Sequence, residues 1–309
     1  MTRNIKVGAA QLGAINLADT REAVVGRMLE LMREAAAANC DVVVYPELAL
    51  TTFFPRYFME DQKDVDAYFE HEMPNAATQP LFDEAKRLGI GFYLGYAEAE
   101  GENRFNTSIL VNKKGGITGK YRKIHLPGHD EHRPQSPFQH LEKRYFDIGD
   151  KGFPVWREFD SIIGMGICND RRWPETYRVM ALQGAEMLMF GYNTPTQNIY
   201  YHEPAHRRMA QHILCVQAGA YQNGAWVVAV AKAGKEDDHG LMGGTVIASP
   251  VGEIVALSTS EEDELLIYTC DMDLCRFIKE NIFNFEKHRQ VEHYGLITSQ
   301  TGAIEPPNK

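Results

Sequence analysis

Gly164-Met165-Gly166-Ile167-Cys168-Asn169-Asp170-Arg171-Arg172-Trp173-Pro174-Glu175 is where the chain declares its architecture. Upstream, Asp160 to Ile167 is short, apolar and glycine-spaced, the signature of a buried strand. Downstream, Pro174 suits the first position of a helix, where its missing N–H would have no partner anyway. Tyr177, Met180, Ala181 and Gly184 then recur at helical spacing. Cys168 therefore falls in a turn between a strand and a helix. That geometry lifts a nucleophile out of a sheet and aims backbone N–H groups at what it attacks. The alternative for any one cysteine is a buried, inert thiol.

Outward from this unit, strands and helices alternate, which predicts an α/β domain. Ile5 to Gln11 reads as a strand. Asp19 and Glu22 suggest a capping box opening a helix whose buried face is Val24, Met28, Leu31, Met32 and Ala35. Asp41 to Tyr45 is a β-branched strand covered on both faces. Pro80 opens a helix from Leu81 to Leu88, closed by Gly89. Ile90 to Ala97 is a strand, and Phe105 to Val111 with Ile117 to Arg122 forms a hairpin. Met187 to Phe190, Ala225 to Ala231, Gly244 to Ser249, Glu253 to Ser258 and Glu264 to Asp271 complete the strands. Pro204 to Gln222 and Leu274 to Asn281 are helices. The hairpin at Phe105–Arg122 and a second at Gly244–Ser258, turned at Pro250-Val251-Gly252, require mixed rather than purely parallel sheets. The tail from Phe283 to Thr298 shows no clear period.

The apolar fraction of 44% over 309 residues is ample for a core, and no linker or short-period repeat divides the chain. One domain spanning residues 1–309 is expected. A net charge of -10 argues against a nucleic-acid surface or a polybasic membrane patch. No apolar run reaches membrane-spanning length, and no secretory leader pattern is present. The five cysteines form no evident disulfide framework, so a cytoplasmic setting is expected. Asn106-Thr107-Ser108 matches a glycosylation acceptor, which carries no weight without secretion.

Three reactive side chains fall just past apolar strands: Glu47, Lys123 and Cys168. Sites in α/β folds form at such strand ends. A thiol needs a base to ionise, and a desolvated Glu47 could supply it. Attack on a carbonyl builds negative charge on oxygen, which Lys123 and the N–H near Asn169 could hold. The guanidinium pair of Arg171 and Arg172 suits a carboxylate on the substrate.

Pro46-Glu47-Leu48, Lys120-Tyr121-Arg122-Lys123-Ile124-His125-Leu126 and Gly166-Ile167-Cys168-Asn169-Asp170 together resemble, in order and spacing, the three signature segments of the nitrilase superfamily of carbon–nitrogen hydrolases. The similarity spans nearly the whole chain. It implies a four-layer α-β-β-α sandwich with two mixed sheets, and a homodimer or homotetramer packed helix layer to helix layer, with the tail from about 283 to 309 at the interface. It implies Glu47 as general base, Lys123 as oxyanion-stabilising lysine and Cys168 as nucleophile, with no metal and no cofactor. Glu47 to Arg56, His125 to His129, Phe138 to Phe146, Asn169 to Pro174 and Gly191 to Thr196 are more similar still to the branch acting on N-carbamoyl-D-amino acids. Glu98 to Arg104 and Asp130 to Pro137 depart from it.

That branch implies release of D-amino acid, ammonia and carbon dioxide through a cysteine-linked carbamoyl intermediate. The implied substrate-binding residues are Arg172, with Arg171 secondary or structural, together with Asn169, Asn193, Thr194, His125 and His140. Asn193 and Thr194 are expected to donate to the carboxylate or ureido group. Glu142 is expected to orient Lys123 or share proton transfer. His125, His129 and His140 are expected to fix loop geometry or contact substrate. Other members of the superfamily, such as an amidase, a nitrilase or a β-ureidopropionase, remain open, and so does a non-catalytic scaffold. A zinc hydrolase is a remote reading of His202-Glu203-Pro204-Ala205-His206, because Pro204 separates the two histidines from one continuous helix.

Overall fold

The computed structural model describes residues 3–136, 138–197 and 203–307. The first sheet is built from β1 (Asn4–Gln11), β2 (Val42–Val44), β3 (Gly91–Glu100), β4 (Asn103–Val111) and β5 (Ile117–Arg122). β1, β2 and β3 run parallel, and β4 and β5 continue antiparallel. The second sheet holds β6 (Val155–Glu158), β7 (Ser161–Ile167), β8 (Met187–Tyr192) and β9 (Trp226–Ala231). A two-stranded ribbon, β10 (Ala233–Glu236) with β11 (His239–Met242), leads to β12 (Val246–Ala248) and β13 (Ile254–Leu257), which extend the second sheet. β14 (Glu264–Asp271) then returns to pair antiparallel with β1 at the edge of the first sheet.

Both sheets are six-stranded and repeat one pattern. A parallel trio, β1-β2-β3 or β7-β8-β9, is flanked by one antiparallel strand on one side and two on the other. The sheets are mixed, as the hairpins required.

Side-chain alternation assigns the faces. In β2, Val42 and Val44 point between the sheets, and Val43 points outward beneath α1 (Arg21–Ala37). That outer face is covered by α1 and by α3 (Gln79–Leu88), while the short α2 (Gln62–Asp66) packs through Val65 in a separate cluster with Phe54, Tyr145 and Phe146. A one-turn α4 (Glu142–Tyr145) lies beside the site. α5 (Pro174–Leu182) and α6 (Ala205–Asn223) cover the second sheet through Tyr177, Met180, Val216 and Ala220. The fold is thus an α-β-β-α sandwich. α7 (Asp273–Asn281) follows β14, and the tail forms two short helices, α8 (Phe285–His288) and α9 (Gly295–Ser299), where no period was legible. Among the described residues no helix is long and apolar enough to cross a membrane.

The start of α1 differs from expectation by one residue. Its cap is Thr20, whose hydroxyl accepts from Ala23 N–H at 3.2 Å, because the Asp19 carboxylate already accepts from Asn16 N–H at 2.7 Å.

Candidate active site

The strand–turn–helix around Cys168 forms as the sequence predicts. β7 ends at Ile167, and Cys168 adopts φ +46°, a left-handed value that a residue with a Cβ holds only when its surroundings impose it. A 3-10 turn over Cys168–Arg172 follows, then α5 with Pro174 in its first turn. Asp170, fully buried, imposes this turn. Its carboxylate accepts from Ile167 N–H at 3.0 Å, Tyr121 OH at 2.8 Å and His125 N–H at 3.0 Å, and meets His125 Nδ1 at 2.8 Å. One carboxylate thus welds the end of β7 to the segment that carries Lys123.

Glu47 sits in a turn beyond β2, wedged between the sheets. A Cβ on Gly191 would lie 2.4 Å from Glu47 N and 2.5 Å from Pro46 C. One on Gly95 would lie 2.8 Å from Glu47 Cα. Only glycine lets the two strands approach this turn so closely. Leu48, the next residue, is itself at φ +45°.

The side chains converge. Lys123 Nζ donates to Glu47 Oε1 at 2.7 Å and to Glu142 Oε2 at 2.5 Å, and all three groups are buried. Asn106 Nδ2 donates to Glu47 Oε1 at 2.8 Å. Asn193 joins acid to thiol through its main chain: its N–H donates to Glu47 Oε2 at 3.0 Å, and its carbonyl accepts from Cys168 Sγ at 3.5 Å. His140 Nε2 lies 3.1 Å from Glu142 Oε1.

Charge states follow from burial and neighbours. Burial raises the Glu47 carboxyl above its ordinary range, Lys123 opposes the shift, and the Glu142 charge adds to it. Burial also works against the charge of Glu142, but Lys123 and His140 hold it below the ordinary range. Burial alone would lower Lys123, but the two carboxylates keep it firmly an ammonium. The Cys168 thiol is pushed up to about 11 by burial and by Glu47. At rest the site therefore holds a protonated thiol beside a carboxylate of raised basicity. This is an arrangement in which a base must take the proton as sulfur attacks.

The remaining predicted residues divide. Arg171 is fully buried and all its nitrogens are committed: Nη1 to Cys168 O at 2.7 Å, Nη2 to Thr194 Oγ1 at 2.9 Å, and Nε to His212 Nδ1 at 3.0 Å. It buttresses the turn instead of presenting a free fork to a carboxylate. Thr194 accepts from Arg171 and keeps its own O–H to donate. Arg172 is exposed and, among the described residues, has no hydrogen-bond or ion-pair partner.

One of the two N–H groups of the Asn193 side-chain amide donates to Glu47 O at 3.0 Å. Asn169 and His125 bond to each other's segment, Asn169 Nδ2 donating to His125 O at 3.1 Å, and with Trp173 they line an open cleft of about 910 Å³. His129 fixes its loop: Nδ1 donates to Glu131 O at 2.7 Å, and Nε2 accepts from His140 N–H at 3.3 Å. α6 begins after Pro204, so His206 lies exposed in its first turn, and His202 lies outside the described residues. Among the described residues no group of three His, Cys, Asp or Glu side chains is placed to hold a metal ion.

A sequence profile of the family described as carbon-nitrogen hydrolase matches residues 6–280. The chain belongs to the carbon–nitrogen hydrolase family. This carbon–nitrogen hydrolase is 29% identical over 317 residues to N-carbamoylputrescine amidase of Arabidopsis thaliana, covering 98% of each chain. It is 29% identical over 266 residues to a protein named nitrilase from Pyrococcus abyssi, covering 86% of this chain and 90% of the other. A crystal structure of a carbon–nitrogen hydrolase from Helicobacter pylori G27 superposes with a TM-score of 0.83 at 21% identity, covering 97% of this chain and 99% of that one, and so shares its fold.

Sequence reasoning did not single out three residues of the hydrolase's site. In sequence Asn106 reads only as part of a glycosylation triplet, and nothing local in β4 points to Glu47. Asp170 lay within the quoted motif without a role. His212 is one of two histidines on α6, and only the fold brings it to Arg171.

Proposed function

We propose that this chain hydrolyses N-carbamoyl-D-amino acids to D-amino acid, ammonia and carbon dioxide. The observation that carries the reading is the main chain of one residue, Asn193, touching both the Glu47 carboxylate through its N–H and the Cys168 thiol through its carbonyl, beside a lysine held between two buried acids. Four residues beyond the thiol, the guanidinium of Arg172, which has no hydrogen-bond or ion-pair partner among the described residues, suits an α-carboxylate. The D configuration rests on the sequence resemblance.

Glu47 takes the thiol proton as sulfur bonds to the ureido carbon. Lys123 and the N–H of Asn169, in the first turn after the nucleophile, hold the oxyanion. Collapse breaks the C–N bond to the amino acid, whose nitrogen takes the proton from Glu47, and leaves a carbamoyl thioester. Glu47 then deprotonates water, which attacks the thioester. The C–S bond breaks, the thiol regains its proton, and the carbamic acid falls apart to ammonia and carbon dioxide. Glu142, hydrogen-bonded to His140, fixes Lys123 in place. No cofactor enters this scheme, and a cytoplasmic setting goes with it. We also propose a homodimer or homotetramer in which the segment from about 283 to 309 meets a second copy, since exposed Val179, Leu182, Ile282 and Ile297 crowd one face there.

Ammonia release from N-carbamoyl-D- and L-methionine, assayed separately, tests the reading. The D compound is expected to react, Cys168→Ala to be inactive, and Arg172→Ala to raise KM about tenfold to a hundredfold, as befits a lost charge-assisted pair. Activity should survive EDTA and be lost to iodoacetamide. Turnover by Cys168→Ala, or inactivation by EDTA, would overturn it.

A further inference from the structure

Two amide oxygens beside the reacting groups lack partners. Asn106 Oδ1 and Asn193 Oδ1 are buried and accept no hydrogen bond among the described residues. Both residues are at most 1% exposed. Buried acceptors left unpaired are uncommon, because the lost solvation is not recovered.

The orientation of each amide is dictated by Glu47. Asn106 Nδ2 lies 2.8 Å from Glu47 Oε1, and Asn193 Nδ2 lies 3.0 Å from Glu47 O. Turning either amide over would set oxygen against oxygen. Each residue therefore gives one N–H to Glu47 and keeps an acceptor unused. The two flank the chemistry. Asn193 touches Cys168 through its carbonyl, and Asn106 receives the Lys123 N–H at its carbonyl at 2.8 Å.

We infer that Asn106 Oδ1 and Asn193 Oδ1 accept the N–H groups of a terminal –NH2 on the carbon that Cys168 attacks, so that the site selects ureido and primary-amide substrates over isosteres lacking those protons. The substrate class follows from polarity alone: a nitrile brings no N–H to these oxygens, and neither does an acetyl group. A site built with acceptors for particular N–H groups rejects the analogue without them, because binding it leaves those acceptors dry and unpaired. The inference rests on the reading of Glu47, Lys123 and Cys168 as the reacting centre.

Binding to the full-length Cys168→Ala variant tests it without turnover. The probes are N-carbamoyl-D-methionine and N-acetyl-D-methionine, which differ by NH2 for CH3. The carbamoyl compound is expected to bind at least about tenfold tighter, from two hydrogen bonds. Adding Asn193→Ala or Asn106→Ala should cut carbamoyl affinity while leaving acetyl affinity nearly fixed, so the ratio falls toward one. A merely structural role would weaken both ligands equally. Selective loss in either variant supports the inference, and a thermal melt confirms that the variant scored is folded. Equal affinity for the two probes, or equal losses in both variants, overturns it. If neither probe binds, the N-carbamoyl reading fails instead, and propionamide against butanone puts the same question to the same oxygens.

Discussion

Replacing Gly191 by alanine should disable Glu47, the proposed base, without touching any atom of its carboxylate. The new Cβ would sit 2.4 Å from Glu47 N and 2.5 Å from Pro46 C. Both are main-chain atoms, so no side chain can swing aside. Ordinary contact requires about 3.4 Å or more, so the turn carrying Glu47 must retreat by about 1 Å. Overpacking of this kind costs about 1–3 kcal/mol of stability. A displacement of about 1 Å in a catalytic group costs about a hundredfold in rate, equivalent to about 2.7 kcal/mol in the barrier.

The expected result for Gly191→Ala is therefore a kcat for ammonia release about a hundredfold down, with a melting temperature a few degrees lower. Gly95→Ala, whose Cβ would lie 2.7 Å from Pro46 O, should act in the same direction. Gly26 supplies the control. It lies within α1 with nothing within 4 Å of an added Cβ, so Gly26→Ala should gain about 0.5–1 kcal/mol and keep full activity. A Gly191→Ala enzyme with wild-type kcat would refute the view that the two glycines set the position of Glu47.

Other consequences can be measured independently. Glu98 is buried, which works against its charge, yet Arg122, Lys120 and Thr107 hold its carboxyl down from 4.5 to about 2. Its stabilisation, about 3 kcal/mol by linkage, is present above about pH 4.5 and lost as pH falls toward 2. The melting-temperature gap between wild type and Glu98→Gln should accordingly be wide at pH 6 and narrow steadily below pH 4.5; a gap that ignores pH would count against this. Leu182→Asp places a charge on the exposed apolar face shared by α5 and the tail. It should reduce the mass seen by light scattering to that of one chain, and an unchanged mass would remove that face from the interface.

Strongly patterned elements were legible from residues alone. The Glu264–Asp271 strand and the turn at Cys168 are where period and punctuation placed them. β6 was not, because Val155-Trp156-Arg157-Glu158 is a half-exposed edge strand with no apolar alternation. The β10–β11 ribbon escaped for a similar reason: its residues are polar and glycine-rich, and its turn depends on Asp237 at φ +51°.

In the site, residues at strand ends could be nominated because strand ends carry chemistry in α/β folds. Their hydrogen-bond polarity could not. Whether Asn193 gives or receives is decided by Glu47, which lies 146 positions away in sequence. Likewise, the division of labour between Arg171 and Arg172 depends on His212 and Thr194, which come from two other elements.

Glu47 and Lys123 ride on the first sheet, while Cys168 and Asn193 ride on the second, and the last strand of the chain crosses back to seal the first. Neither layer owns a working centre by itself. Turnover consequently gauges the seam: any loosening that lets the layers slide, long before helices melt, should silence the enzyme first. Loss of activity ahead of loss of circular dichroism would be the mark of that early parting.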